Sequence, residues 1–175
     1  MEKRNLLVTG LPGTGKTTLI IRLIERLRAF KTAGFYTEEI RTGGTRRGFE
    51  IVDVRGARSL LSHIDIAGGQ RVGKYGVDIK RFEQYLETVP FFSSRTDLII
   101  IDEIGKMECL SEKFIRLVVD LLDAPVIVVA TIALHGGGIM ERIKNRADVR
   151  LYTITKQDRD SLVDEIEMAV REGLE

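Results

Sequence analysis

One segment near the start of the chain limits its possible folds more than any other feature. Residues 10–17 read GLPGTGKT, in which two glycines are separated by four residues and followed by lysine and threonine. A short apolar run, residues 6–8, precedes the segment, and residues 16–29 carry apolar side chains at helical spacing. Because a glycine loop between a strand and a helix is typical of phosphate-binding α/β sheets, we expect a mainly parallel sheet.

Each fixed position of this segment has a chemical reason. Small residues let successive backbone N–H groups curl around an anion, and the positive end of the following helix points at the same anion. Lys16 is suited to bridge the β- and γ-phosphates of a nucleoside triphosphate, and the Thr17 hydroxyl to bind the Mg²⁺ that joins them. A glycine turn with an incidental lysine is the competing interpretation, which the strand and helix on either side disfavour. The predicted contacts are Gly10, Leu11, Pro12, Gly13, Thr14, Gly15, Lys16 and Thr17.

Strand-like and helical patterns alternate along the rest of the chain. The continuous apolar runs at residues 98–101 and 126–130 are typical of buried strands in a parallel sheet. Apolar spacing predicts helices at residues 77–89, 111–122, 139–143 and 157–171, and a strand at 149–154. Thr155, with Asp158 three residues later, predicts a capping box at the start of the last helix.

A different pattern occupies residues 34–64. Runs at residues 34–40, 49–54 and 59–64 are separated by glycine-containing turns, which predict a β-hairpin or small meander. No linker or repeat divides the chain. We therefore expect residues 1–175 to form one domain, an α/β layer sandwich on a mainly parallel sheet with a small β-hairpin insertion.

Two acidic residues directly after the apolar run at 98–101 complete the predicted site. Asp102 ends the run, and an acid there reaches a metal ion from the carboxyl edge of a parallel sheet. We assign it to the Mg²⁺ shell, through water. Glu103 is the candidate general base that polarises the attacking water. A solvated loop acid or a helix cap is the alternative interpretation of Glu103.

Four further charged residues are open to two interpretations each. Lys106 and Glu108 follow the acids closely, so they either line the nucleotide pocket or are surface loop charges. Arg142 and Arg146 are candidates for a lid that closes over the γ-phosphate, with solvated helix charges as the alternative. Arg41, Arg46 and Arg47 surround a predicted turn, and we expect a solvated hairpin tip there rather than a nucleic-acid patch.

Composition excludes several classes of protein. The 27 Lys and Arg residues nearly balance the 26 Asp and Glu residues, so no bulk field attracts nucleic acid or an acidic membrane. Cys109 is the only cysteine, which excludes an intrachain disulfide and favours a cytoplasmic location. With only His63 and His135 beside it, a Cys/His zinc site is excluded. We find no signal peptide or membrane-length apolar run, and the scarcity of Asn and Gln favours a thermophilic source.

The chain resembles a known family over nearly its whole length. The matching segments are residues 10–18 (GLPGTGKTT), 34–40 (GFYTEEI), 48–54 (GFEIVDV), 71–78 (RVGKYGVD) and, most specifically, 102–108 (DEIGKME). They resemble the small P-loop nucleoside-triphosphatases of thermophiles, which in animals are called cancer-related nucleoside-triphosphatases. The resemblance implies a three-layer, Rossmann-like domain that hydrolyses ATP, GTP and other triphosphates with little base selectivity. It also implies nucleotide contacts at Ile99, Ile100, Ile101, Asp102, Glu103, Ile104, Gly105 and Lys106.

Three functional hypotheses follow. The leading one is Mg²⁺-dependent hydrolysis of the β–γ bond by a monomeric enzyme, with Lys16 and Glu103 as catalytic residues and Thr17 and Asp102 at the metal. The second is a nucleotide or nucleoside kinase, which would share the same phosphate loop. The third is a nucleotide-dependent switch that binds tightly and turns over slowly.

Overall fold

The computed structural model describes residues 4–174, which form nine strands and five α-helices. The strands are β1 Asn5–Thr9, β2 Thr32–Thr42, β3 Thr45–Asp53, β4 Arg58–His63, β5 Arg71–Val72, β6 Tyr75–Val77, β7 Leu98–Ile104, β8 Ile127–Ile132 and β9 Val149–Thr153. The helices are α1 Lys16–Arg26, α2 Ile79–Thr88, α3 Glu112–Asp123, α4 Ile139–Lys144 and α5 Arg159–Leu174. None of these helices is long and apolar enough to cross a membrane.

All nine strands belong to one sheet, in the order β5-β6-β4-β3-β2-β7-β8-β1-β9. The five strands from β2 to β9 in this order run parallel, whereas β3, β4, β5 and β6 pair antiparallel. The expected mainly parallel sheet with a β insertion is therefore confirmed. The insertion is larger than the predicted hairpin, because it contains β3, β4, β5 and β6 and the second half of β2, which continues into it from the parallel sheet.

Helices cover both faces of the parallel strands, which confirms the three-layer α/β arrangement. On one face, α1 and α5 pack around Leu19, Ile20, Leu23, Val163 and Ile166. On the other face, α2 and α3 pack through their aromatic and aliphatic side chains, and α4 joins them. Along β7, successive side chains alternate between the two cores. This burial on both faces explains the continuous apolar runs in the sequence.

The helix starts follow local chemistry. Asp78 and Ser111 accept hydrogen bonds from the Arg81 and Phe114 N–H groups, and so cap α2 and α3. At α5 the predicted capping box is confirmed: the Thr155 N–H donates to Asp158 at 2.7 Å, and the Asp158 N–H donates to the Thr155 hydroxyl at 3.4 Å.

A buried carboxylate ties the insertion to α2. Asp53, at the end of β3, is 1% exposed and accepts hydrogen bonds from Arg55 Nε at 2.8 Å and from the Tyr85 hydroxyl at 2.9 Å. Burial acts to raise the pKa of Asp53, but the donors from Arg55 and Tyr85 lower it overall. Arg55 also donates to the Thr88 carbonyl, so the turn after β3 is held against the end of α2.

Removing the Tyr85 hydroxyl is expected to destabilise the fold. Tyr85→Phe removes one of the two donors to Oδ2 of the buried Asp53 carboxylate and leaves only Arg55 Nη2, at 2.9 Å. Because a hydrogen bond to a charged group is lost, the free energy of unfolding should fall by about 1.5–3 kcal/mol in urea denaturation. The matched control is Tyr152→Phe, whose hydroxyl accepts only a 3.3 Å hydrogen bond from the exposed Arg150. Its loss should be at most about 1 kcal/mol. Equal losses in the two variants would contradict this role for Asp53.

Candidate active site

The glycine loop lies at the carboxyl edge of the parallel sheet, between β1 and α1. Gly15 has φ +103°, a left-handed conformation that favours glycine, and α1 begins at the next residue. The first N–H groups of α1 therefore point into the loop, where they can bind an anion. Lys16 Nζ donates to the carbonyl oxygens of Gly10 at 2.9 Å and Leu11 at 3.3 Å, which holds the ammonium group across the loop.

Asp102 is the centre of a network of hydroxyl groups. Its Oδ2 accepts from the Thr17 hydroxyl at 2.8 Å, and its Oδ1 accepts from the Thr131 hydroxyl at 2.5 Å. The Thr37 hydroxyl and N–H approach Oδ2 at 3.4 and 3.5 Å. Asp102 is 1% exposed, and burial raises its pKa against these donors and against the nearby charge of Lys16. Such a carboxylate has lost its hydration and can accept a cation in its place.

The two predicted metal ligands fit Mg²⁺. The Thr17 hydroxyl donates to an Asp102 carboxylate oxygen at 2.8 Å, so a hydroxyl ligand would lie beside a carboxylate that could reach the same ion through water. No group of three or more His, Cys, Asp or Glu side chains suited to a metal occurs within residues 4–174. This arrangement is typical of Mg²⁺ held by one carboxylate, one hydroxyl and the phosphates of a substrate.

Two further carboxyl groups lie beside Asp102 around Gly105. A Cβ on Gly105 would lie 2.5 Å from Glu103 Oε1 and 2.9 Å from Glu108 Oε2, so a larger residue would displace both carboxyl groups. Burial first, and the charge of Asp102 second, raise the pKa of Glu103, while Lys16 opposes the rise. Burial and the Glu103 carboxylate raise the pKa of Glu108 to about 8. Glu108 is therefore a buried acid rather than a surface loop charge.

A cleft of about 940 Å³ joins these groups. It begins at the glycine loop and passes Glu103, Lys106 and Glu108 to side chains of the β insertion. Of the predicted nucleotide contacts, the following line it: Gly10, Pro12, Gly13, Gly15, Lys16, Thr17, Glu103 and Lys106. The glycine loop, Lys16, Thr17 and the Glu103 carboxylate therefore surround one cleft.

The chain is similar to known proteins in both sequence and structure. Residues 5–167 match a protein family described as NTPase. The nucleoside-triphosphatase THEP1 of Thermotoga sp. (strain RQ2) is 44% identical over 162 residues, covering 92% of each chain. The cancer-related nucleoside-triphosphatase of Homo sapiens is 39% identical, covering 96% of this chain and 97% of its own. The crystal structure of THEP1 from Aquifex aeolicus is 36% identical, with a TM-score of 0.80, covering 93% of this chain and 96% of its own.

The chain belongs to this NTPase family. The resemblance predicted from residues 102–108 is thereby confirmed, and so is the class of nucleoside-triphosphate hydrolase. The similarity to the Aquifex aeolicus structure also confirms the fold class.

Four residues in or beside this cleft were not predicted from the sequence. Thr131 lies near the end of β8 and Thr37 lies in β2, both beside Asp102. Arg159, after β9, packs over the glycine loop, with its Cδ 3.5 Å from the position that a Gly15 Cβ would occupy. His135 is exposed and lines the cleft after β8. Position at the carboxyl end of a parallel strand was the available signal for Thr131, Arg159 and His135.

Some predicted contacts lie away from the cleft. Four of them, Ile99, Ile100, Ile101 and Ile104, are at most 1% exposed and pack in the two cores, so their side chains do not line the cleft. Their position next to Asp102 in the sequence does not bring them to the nucleotide, because β7 is covered by helices on both faces. Four other predicted contacts, Leu11, Thr14, Asp102 and Gly105, are close to the cleft but do not line it.

The lid interpretation of the two arginines is wrong for Arg146. Arg146 donates to Asp148 at 2.7 Å and to Asp123 at 2.6 Å, and Asp148 also accepts from Asn5 at the start of β1. These contacts place it at the amino edge of the sheet, at the opposite end of β1 from the glycine loop. Arg142 is exposed on α4 and does not line the cleft.

The arginines of the β2–β3 hairpin form ion pairs with acidic side chains, which agrees with the expected solvated hairpin tip. Arg41 and Arg46 both donate to Glu39, at 2.7 and 2.9 Å. Arg47 donates to Asp65 at 3.3 Å. These ion pairs offset the positive charge that a nucleic-acid patch would need.

Removing the Thr131 hydroxyl is expected to weaken metal binding. Thr131→Val leaves Asp102 without its closest donor, so the Mg²⁺ concentration for half-maximal phosphate release should rise about 10–100-fold. Nucleotide binding measured in EDTA should change little. The matched control is Thr153→Val at an exposed position of β9, which should behave as wild type. An unchanged Mg²⁺ requirement in Thr131→Val would show that the hydroxyl does not position Asp102.

Proposed function

We propose that the chain is a Mg²⁺-dependent phosphohydrolase that cleaves the β–γ bond of nucleoside triphosphates. The 2.8 Å hydrogen bond between Thr17 and Asp102 carries this proposal. It brings the end of the phosphate loop and the end of β7 together at one point. A triphosphate bound at the loop would therefore lie beside the metal-binding pair and beside Glu103.

Each group at the site has a separate chemical role. Backbone N–H groups at the start of α1 and the Lys16 ammonium bind the phosphate oxygens and stabilise charge as the bond breaks. Thr17 directly, and Asp102 through water, would hold Mg²⁺, which when bound would neutralise charge on the phosphates. Glu103 accepts a proton from the attacking water as its oxygen bonds to the γ-phosphorus and the bond to the β–γ bridging oxygen breaks.

The raised pKa of Glu103 suits this role. A carboxylate with an ordinary pKa is a weak base, and burial beside Asp102 makes Glu103 a stronger one. The nearby Lys16 charge opposes this rise in the pKa of Glu103. Glu103 is intermediate in exposure and lines the cleft, which leaves room for a water molecule.

Low base selectivity is also part of the proposal. We place the base in a groove beside the glycine loop, which is lined by Thr18, Leu19, Arg22, Arg159 and Asp160. Arg22 and Asp160 form an ion pair with each other. Discrimination between bases requires fixed, buried hydrogen-bonding groups, and these side chains are mostly long and near the surface. The monomeric state, the cytoplasmic location and the lack of a nucleic-acid partner stay predictions.

The test compares Glu103→Gln with wild type in a panel of ATP, GTP, CTP and UTP with Mg²⁺. The variant keeps the shape of the side chain but cannot accept the proton, so kcat for phosphate release should fall about 10²–10⁴-fold. Nucleotide affinity should remain within a few fold because the phosphate cradle is unchanged.

Two variants calibrate this experiment. Lys16→Ala measures the background of phosphate release when the lysine of the phosphate cradle is absent. Phosphate release by wild type no higher than this background would refute hydrolysis and favour the slow nucleotide-dependent switch. Glu112→Gln changes an exposed glutamate on α3 and should behave as wild type. Full activity in Glu103→Gln would show that another group accepts the proton.

A further inference from the structure

The cleft extends beyond the segment that would hold a triphosphate. The glycine loop and Arg159 surround one end, whereas the β insertion and the segment after β7 surround the other. We call this second end, lined by Phe49, Leu61, Val72 and Met107, the distal half. The whole cleft, at about 940 Å³, is near the upper limit for small-ligand pockets, about 1,000 Å³. A triphosphate at the loop therefore leaves space for another molecule.

The wall of the distal half is apolar. Phe49, Leu61 and Val72 come from three successive strands of the insertion, and Met107 comes from the turn after β7. Water, the only second reactant of hydrolysis, gains nothing from such a wall. An organic molecule gains the free energy of burying its own apolar surface there.

The acids contributed by β2 are already neutralised. Glu38 accepts from Arg58 at 2.8 Å. Glu39 accepts from Arg41 at 2.7 Å and from Arg46 at 2.9 Å. These two carboxylates therefore add little net charge to the cleft.

The remaining charged groups of the distal half are of both signs. Glu108 is 5% exposed, and it and Glu103 lie on either side of Gly105 in the cleft wall. These two carboxyl groups are opposed by the exposed Lys106 ammonium. A phosphate-bearing ligand would gain Lys106 but face Glu103. A neutral ligand with an apolar body and hydroxyl groups fits better.

We propose that the distal half is an acceptor site for a neutral alcohol with a flat, apolar ring, the chemistry of a nucleoside. The acceptor hydroxyl oxygen bonds to the γ-phosphorus, and its proton passes to the Glu103 carboxylate. The bond from the γ-phosphorus to the β–γ bridging oxygen breaks, and its electron pair leaves with the nucleoside diphosphate. The products are a phosphate monoester and a diphosphate. This inference rests on the proposed function, because hydrolysis is the same displacement with water as nucleophile.

The experiment incubates the full chain with ATP and Mg²⁺ in the presence of adenosine, guanosine, cytidine, uridine or glycerol. Phosphorus NMR measures the phosphate monoester and free phosphate in the same sample. At least one nucleoside should yield a monophosphate in step with ADP, whereas glycerol, which has no apolar ring, should yield none. Nucleoside monophosphates should be poorer acceptors than the nucleosides. A preference for monophosphates would overturn the charge argument.

Two substitutions locate the acceptor. Phe49→Ala removes apolar wall and should raise KM for the nucleoside about tenfold, with a smaller change in kcat. Val72→Glu, at the half-buried β5, adds a negative charge and should lower the ratio of transfer to hydrolysis. Phe92→Ala, an exposed phenylalanine outside the cleft, is the matched control and should leave both unchanged. Transfer that is insensitive to both cleft substitutions would place the acceptor elsewhere.

The two products separate this inference from the proposed function. Free phosphate without any monoester would overturn the acceptor site and leave hydrolysis standing. Neither product above the Lys16→Ala level would overturn both.

Discussion

The Asp102 carboxylate lies where three segments of the chain meet. Hydroxyl groups from α1, β2 and β8 converge on its oxygens, and β7 carries it to the edge of the sheet. A carboxylate this deeply buried is tolerated only when donors or a cation replace its lost hydration. The network therefore ties the phosphate-loop helix, the start of the insertion and the central strands to one group. Displacement of any segment would leave that group short of a partner, so the fold and the site depend on the same contacts.

Strand β7 shows how the core and the cleft support each other. Ile99, Ile100 and Ile101 are fully buried between two layers of helices, and the next residue is the carboxylate of the network. Close packing on both faces leaves these side chains little freedom to shift. The carboxylate is thereby held in place by apolar contacts that never reach the nucleotide. Catalysis gains from such rigidity, because charged groups already in position need no rearrangement when the bond breaks.

Local patterns in the sequence predicted the fold class and much of the site. The glycine loop with Lys16 and Thr17, and an apolar strand followed by Asp102, each depend on residues a few positions apart. Contacts across the sheet had no comparable signal, so Thr131 and Arg159 were missed. The lid hypothesis for Arg146 failed for the same reason. Helical spacing in the sequence does not reveal that this residue, which precedes β9, lies at the amino edge of the sheet. The turns of the insertion could be predicted from the sequence, but its fusion with the parallel sheet through β2 could not.

That fusion has a consequence for how such proteins diversify. β2 pairs with β7 through its first half and with β3 through its second, so the insertion extends the sheet that carries the phosphate site. Its outer strands nevertheless contribute no residue to the Asp102 network. Substitutions there can drift without altering how phosphate is held. A lineage could therefore acquire a new second reactant by remodelling one wall, while its inherited phosphate chemistry stays constant.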